Sequence, residues 1–243
     1  MSAFRHPVTV VKLGGSVLTS PAAYRRAAGF IAARLVESPG ERVLAVVSAE
    51  YGATDALLSE AREIAGEPDR ATLDLLWSTG ETRSAALLTL HLHAMGVAAL
   101  ALNAHQTGLE ETDNAGAARV RALRLRAALA GHDVVVAPGF VARGAADRIV
   151  SLGRGGSDLT AVLIAAGLGA GRCELVKDVA GYYSADPRTH AEAEHLPSIG
   201  YARALAMADD GCDLVQRAAL EAARDRRVPL VVRTFEGAAT TVG

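Results

Sequence analysis

Residues 8–16 read VTVVKLGGS, a β-branched apolar run that ends on Lys12 and then on two glycines. Such a run is the pattern of a strand buried on both faces of a parallel sheet. In open α/β sheets the carboxyl ends of the strands are where ligands bind. Gly14 and Gly15 would let backbone N–H groups come close to an anion, and Lys12 would offer a point charge to a phosphoryl group in transfer. The P-loop spacing GxxxxGK[ST] is absent, because here the lysine precedes the glycines. A strand that closes in a tight turn and holds no ligand has the same local pattern.

Outward from this stretch, similar apolar runs recur at 42–48, 97–102, 133–138, 173–177 and 229–233. Between them lie segments of helical spacing, such as 24–36 with Ala27, Ala28, Ile31 and Leu35 on one face, and 158–168. Strand alternating with helix predicts an α/β fold, a three-layer α/β/α sandwich around a mostly parallel central sheet. The 243 residues suffice for a substantial core without metal or disulfide support. The polar stretch 143–148 suggests a junction, with one lobe over about 1–145 and a second over about 146–243.

Two further motifs carry chemistry. LGRGGSDLTA (152–161) is a glycine-rich loop leading into a helix, an anion site by geometry and dipole. Arg154 adds a fork able to grip a carboxylate bidentately. Asp158 fits equally as a helix-capping or first-turn residue. ELVKDVAGYYSADPR (174–188) is a strand and loop whose Tyr183 could stack on a base or cover the sheet.

Composition narrows the partners. Lys and Arg total 25 against 27 Asp and Glu, which provides no global attraction for nucleic acid or an anionic membrane. Any anion must therefore be held locally. Cys173 and Cys212 lack metal-ligand spacing and read as reduced thiols. Residues 1–9 lack a secretory apolar run and no stretch approaches a membrane span, so the expected location is the cytoplasm.

Six ordered blocks, from residue 8 to about 233, resemble the amino acid kinase family and, within it, the aspartate kinases. They are VTVVKLGGS, VSAEYGATDAL (47–57), Ser78 to Glu81 as S-x-G-E, Pro138-Gly139-Phe140, LGRGGSDLTA and the 174–188 segment. The resemblance implies ATP and Mg²⁺ as cofactors, an amino acid substrate and a homodimer. It implies that Lys12 stabilises the transferring phosphoryl group, with Gly14, Gly15 and Ser16 shaping the loop around it. Ser48, Thr54, Gly155 and Ser157 would line the substrate side. Glu81 would meet the ammonium group or orient Lys12, Arg154 would hold a carboxylate, and Asp158 would organise the lysines. Lys177, Asp178, Tyr183 and Arg188 would serve the nucleotide, with no dedicated protein metal site.

The chain departs from that pattern in places. Asp213 stands where aspartate kinases usually have a second lysine, and Lys177, Arg217 or another group would have to substitute for it. Asp55 puts a carboxylate near the expected acceptor pocket. The sequence ends at Gly243, so paired regulatory ACT domains are expected to be missing, and with them feedback inhibition by lysine or threonine. Three functions follow: an aspartate kinase, a kinase for a related acid, or a non-catalytic nucleotide-binding or oxyanion-binding member of the fold.

Overall fold

Side chains of a strand alternate between faces, and in β1 (Val8–Leu13) this sends Val10 to one core and Val11 and Leu13 to another. The computed structural model describes residues 7–112 and 118–243. After β1 come α1 (Pro21–Glu37), β2 (Arg42–Val47), α2 (Ala53–Ala65), α3 (Arg70–Ala94), β3 (Ala99–Ala101), β4 (Leu109–Glu111), β5 (Ala118–Val120), α4 (Leu123–Gly131) and β6 (Val134–Pro138). They are followed by β7 (Val141–Arg143), β8 (Ile149–Ser151), α5 (Gly156–Leu168), β9 (Cys173–Val176), β10 (Ser198–Ile199), α6 (Tyr201–Asp209), α7 (Arg217–Arg226), β11 (Leu230–Arg233) and β12 (Ala239–Val242).

Eight strands form the main sheet in the order β10-β12-β11-β9-β1-β2-β6-β3. Every pairing is parallel except that of β11 with β12. On one face Val11, Val43, Ala45 and Val136 pack against Tyr24, Ala27 and Ile31 of α1 and Leu88 and Leu92 of α3. The opposite face carries Val10, Leu44, Val135 and Leu175 under Val162 of α5, Leu125 of α4 and Leu220 of α7. Two helical layers around one sheet make the expected three-layer sandwich, and all six predicted strands lie in it. The segment 97–102 is shorter than expected, pairing only over Ala99–Ala101.

Helix starts follow local chemistry. Ser20 caps α1 by accepting the Ala23 N–H, with Pro21 opening the helix. Asp69 caps α3 through the Thr72 N–H at 2.9 Å. A second sheet, ordered β5-β4-β7-β8, was not foreseen from the sequence. The polar stretch 143–148 forms the turn between β7 and β8.

Candidate active site

Lys12 shares its face with Val10 and so points beneath α5, buried at 6% exposure. The parallel register sets Lys12 beside Leu175 of β9. Lys177 lies one pleat further along on that face, anchored by its N–H donating to the Arg233 carbonyl at 2.7 Å. Asp158, in the first turn of α5, lies between the two lysines. Its Oδ1 is 2.7 Å from Lys12 Nζ and its Oδ2 accepts from Lys177 Nζ at 2.8 Å. Burial opposes the charge on Asp158, but the two ammoniums outweigh it and hold the carboxyl at about 2. Burial also pushes Lys12 below the ordinary lysine range, with Asp158 resisting.

These groups form one end of a cavity of about 380 Å³. Its wall includes Lys12, Gly15, Ser48, Thr54, Glu81, Gly155, Ser157, Asp158 and Lys177, so nine of the residues singled out from sequence converge. Gly14 is buried next to Lys12, while Ser16 is exposed and outside the wall. Arg154 is exposed on the turn before α5, next to the cavity-lining Gly155 but not itself part of the wall.

Two helices begin at this cavity. Both α2 and α5 start after a left-handed glycine, Gly52 and Gly155, and neither has a side-chain cap. Ala53, Gly156 and Asp158 donate their N–H groups to preceding backbone carbonyls, and the positive end of each helix dipole favours an anion. At Gly155 the need for glycine is twofold: φ is 71°, and a Cβ there would run into the Gln216 side chain.

Glu81 reaches the cavity from α3 because Gly80 lets that helix approach the chain after β2. A Cβ on Gly80 would lie 2.9 Å from the Ala49 Cβ. Glu81 Oε1 accepts the Ala49 N–H at 3.3 Å. Its Oε2 is buried with no hydrogen-bond partner among the described residues. Desolvation raises the carboxyl to about 7. A buried acceptor oxygen beside a cavity suits a cationic group on a ligand.

Past Lys177 a second cavity of about 610 Å³ opens, lined by Asp178, Tyr183, Arg188, Asp210 and Asp213 among others. Tyr183 is in edge contact with His195 at 5.2 Å, and Arg188 pairs with Asp186 at 3.2 Å. The nucleotide-side residues named from sequence are therefore split, Lys177 in the first cavity and the other three in the second. Sequence reasoning missed Gln216 and gave Phe140 no role at the site. Phe140 holds a positive φ of 67° in the β6–β7 turn, and its ring meets Trp77 edge-on at 5.8 Å. The Pro-Gly-Phe block was the only available signal for Phe140. Nothing in the sequence pointed to Gln216.

An open parallel sheet that gathers a lysine pair and two uncapped helix starts at its carboxyl edge defines an α/β protein equipped for phosphate and carboxylate chemistry. The chain belongs to the amino acid kinase family, whose sequence model matches residues 7–234. An aspartokinase of Geobacillus stearothermophilus is 36% identical over 232 residues, covering 93% of this chain and 56% of that protein. One from Thermus thermophilus is 41% identical over 198 residues, covering 80% and 49%. The crystal structure of aspartate kinase from Synechocystis superposes with a TM-score of 0.85 at 35% identity, covering 96% of this chain and 39% of that one. The chain thus spans about half the length of the curated relatives it matches.

Both cysteines are free, Cys173 buried and Cys212 half-buried. Among the described residues no helix is long and apolar enough to cross a membrane.

Proposed function

We propose that this chain transfers the γ-phosphoryl group of ATP to the side-chain carboxylate of aspartate. The observation that carries the reading is the cavity with Lys12 and Lys177 on Asp158 at one end and the unpartnered Glu81 oxygen on its wall. An acceptor with one ammonium and two carboxylates matches that set of groups. Glu81 takes the ammonium, the helix starts and Arg154 take the carboxylate that does not react, and the reacting carboxylate faces the lysines. The relatives named aspartokinase supply the identity of the acid.

The carboxylate is already a competent nucleophile, so no general base is needed. Its oxygen forms a bond to the γ-phosphorus as the bond to the β–γ bridging oxygen breaks, and ADP leaves with the electron pair. No proton moves. The obstacle is repulsion between anions, which the lysine pair and the helix N–H groups offset, leaving catalysis to positioning and electrostatics. Mg²⁺ bound with the nucleotide would supply further neutralisation of phosphate charge. Among the described residues no three His, Cys, Asp or Glu side chains converge into a cage. Asp178, on the wall of the second cavity next to Lys177, is a carboxylate that would hold that ion.

In this reading residues up to about 145 supply most of the acceptor pocket and those beyond it the nucleotide cavity, in a cytoplasmic homodimer. The second cavity, formed wholly by residues beyond 177, supports that division. Asp55 on the acceptor wall favours a second reading, a related acid carrying an additional cationic or hydrogen-bond-donating group. The test is formation of the hydroxamate from aspartate, ATP, Mg²⁺ and hydroxylamine. ADP release with a different acid but not with aspartate would move the assignment to the second reading, and nucleotide binding without turnover on any acid would remove both.

A further inference from the structure

Of the chain's 25 basic residues only Lys12 and Lys177 are lysines; every other one is arginine. The two ammoniums sit on opposite oxygens of a single carboxylate, at 2.7 and 2.8 Å. Lysine is a compact point charge on a flexible stem, whereas arginine is a planar fork, and the two do not substitute for each other at a close-packed site. The chain's two lysines thus meet on one carboxylate, Asp158.

Position adds a second argument. The Lys177 side chain lines the first cavity, and the next residue, Asp178, begins the wall of the second. Lys177 and Asp178, neighbours in the chain, therefore belong to the walls of different cavities. Arg154 is exposed outside the cavity wall. Arg188 pairs with Asp186, and the exposed Arg217 pairs with Asp209 and with Glu221 at 3.0 Å. Asp213 adds a negative charge to the second cavity. With one carboxylate between two ammoniums, the cluster has a net positive charge to present to phosphate oxygens.

We propose that Lys177 is a catalytic residue: together with Lys12 it holds the phosphoryl group as it crosses between the cavities, instead of contacting the adenosine. Lys177 thereby supplies the second cation that Asp213 cannot. This rests on the reading of the site as a nucleotide-dependent kinase, but not on which acid accepts.

Two measurements test it. In steady-state ADP release, Lys177→Ala lowers kcat by about 10²–10³-fold, the usual loss for one transition-state charge donor. Lys177→Arg does not restore the rate, and Arg217→Ala stays near wild type. An unchanged kcat with a raised KM for ATP would overturn the proposal, since that is the result of a nucleotide anchor. The second measurement uses the wild-type protein and needs no acceptor or folded variant. An acyl phosphate of ATP acylates amines beside the phosphates, forming an amide as the acyl–phosphate bond breaks and ATP leaves. Peptide mass spectrometry should find the label on Lys12 and Lys177, with both protected by excess ATP. Label on Lys12 but not Lys177 overturns the assignment. Label on both without aspartate turnover leaves Lys177 in place and removes aspartate as the acceptor.

Discussion

Replacing Glu81 by glutamine separates the electrostatics of the acceptor pocket from its shape. Burial raises this carboxyl from its ordinary 4.5 to about 7. Between those values the folded protein keeps a proton that the unfolded chain has already released. The stability contributed by the neutral acid is therefore complete below 4.5, falls as pH rises, and is lost in full above the folded value. At about 1.4 kcal/mol per unit, the shift amounts to about 3 kcal/mol. Glu81→Gln is nearly isosteric, can still accept the Ala49 N–H, and does not titrate. Urea denaturation from about pH 5 to 9 should show the variant gaining on wild type by up to about 3 kcal/mol toward the alkaline end. The same titration governs binding, because an ammonium-bearing acceptor needs the ionised carboxylate. The acceptor KM of wild type should fall as pH rises through about 7. That of the variant should be high and flat across the same range. Superimposable pH–stability curves for the two proteins would refute the assignment of a desolvated, titrating Glu81.

Three further outcomes are expected. Gly155→Ala forces a side chain into a left-handed conformation, at about 1–2 kcal/mol, and displaces Gln216, at about 1–3 kcal/mol more; denaturant midpoints and ADP release should fall together. Arg34→Met removes the buried cation that binds Glu41 at 2.9 Å and Glu174 at 2.8 Å on the α1 face. Chemical denaturation should show a loss of about 3–5 kcal/mol from the stranded carboxylates. Arg154→Ala should raise the KM for the acid about tenfold or more, the worth of a charged hydrogen bond, with little change for ATP. Equal effects on both substrates, or none, would take Arg154 out of its assigned role.

Strands β1, β2, β6, β9 and β11 were legible because strands buried on both faces are mostly apolar and rich in valine, even where β1 carries Lys12 and β9 carries Glu174. Strands β4, β5, β7 and β8 have three residues each, too few for a period to register, so the second sheet stayed hidden. The convergence of Lys12, Ser48, Glu81, Gly155 and Asp158 was readable as a set of motif blocks, each with its own turn or helix-start chemistry. The Pro-Gly-Phe block marked a turn without revealing that Phe140 would line the cavity. Gln216 had no signal, since its role comes entirely from its contact with Gly155.

By itself the sequence determined the layer architecture, the strands that carry the site and the family, because burial, periodicity and turn geometry are local and leave a local record. The tertiary structure alone decided which charges neutralise which. Lys177 meets Asp158 only because β9 lies beside β1 in a fixed parallel register under α5, and Glu81 reaches Ala49 only because a glycine lets α3 close on the chain after β2. Such pairings depend on a few ångströms of approach between segments distant in the chain. That approach is set when the sheet and helices pack, and neither segment encodes it alone.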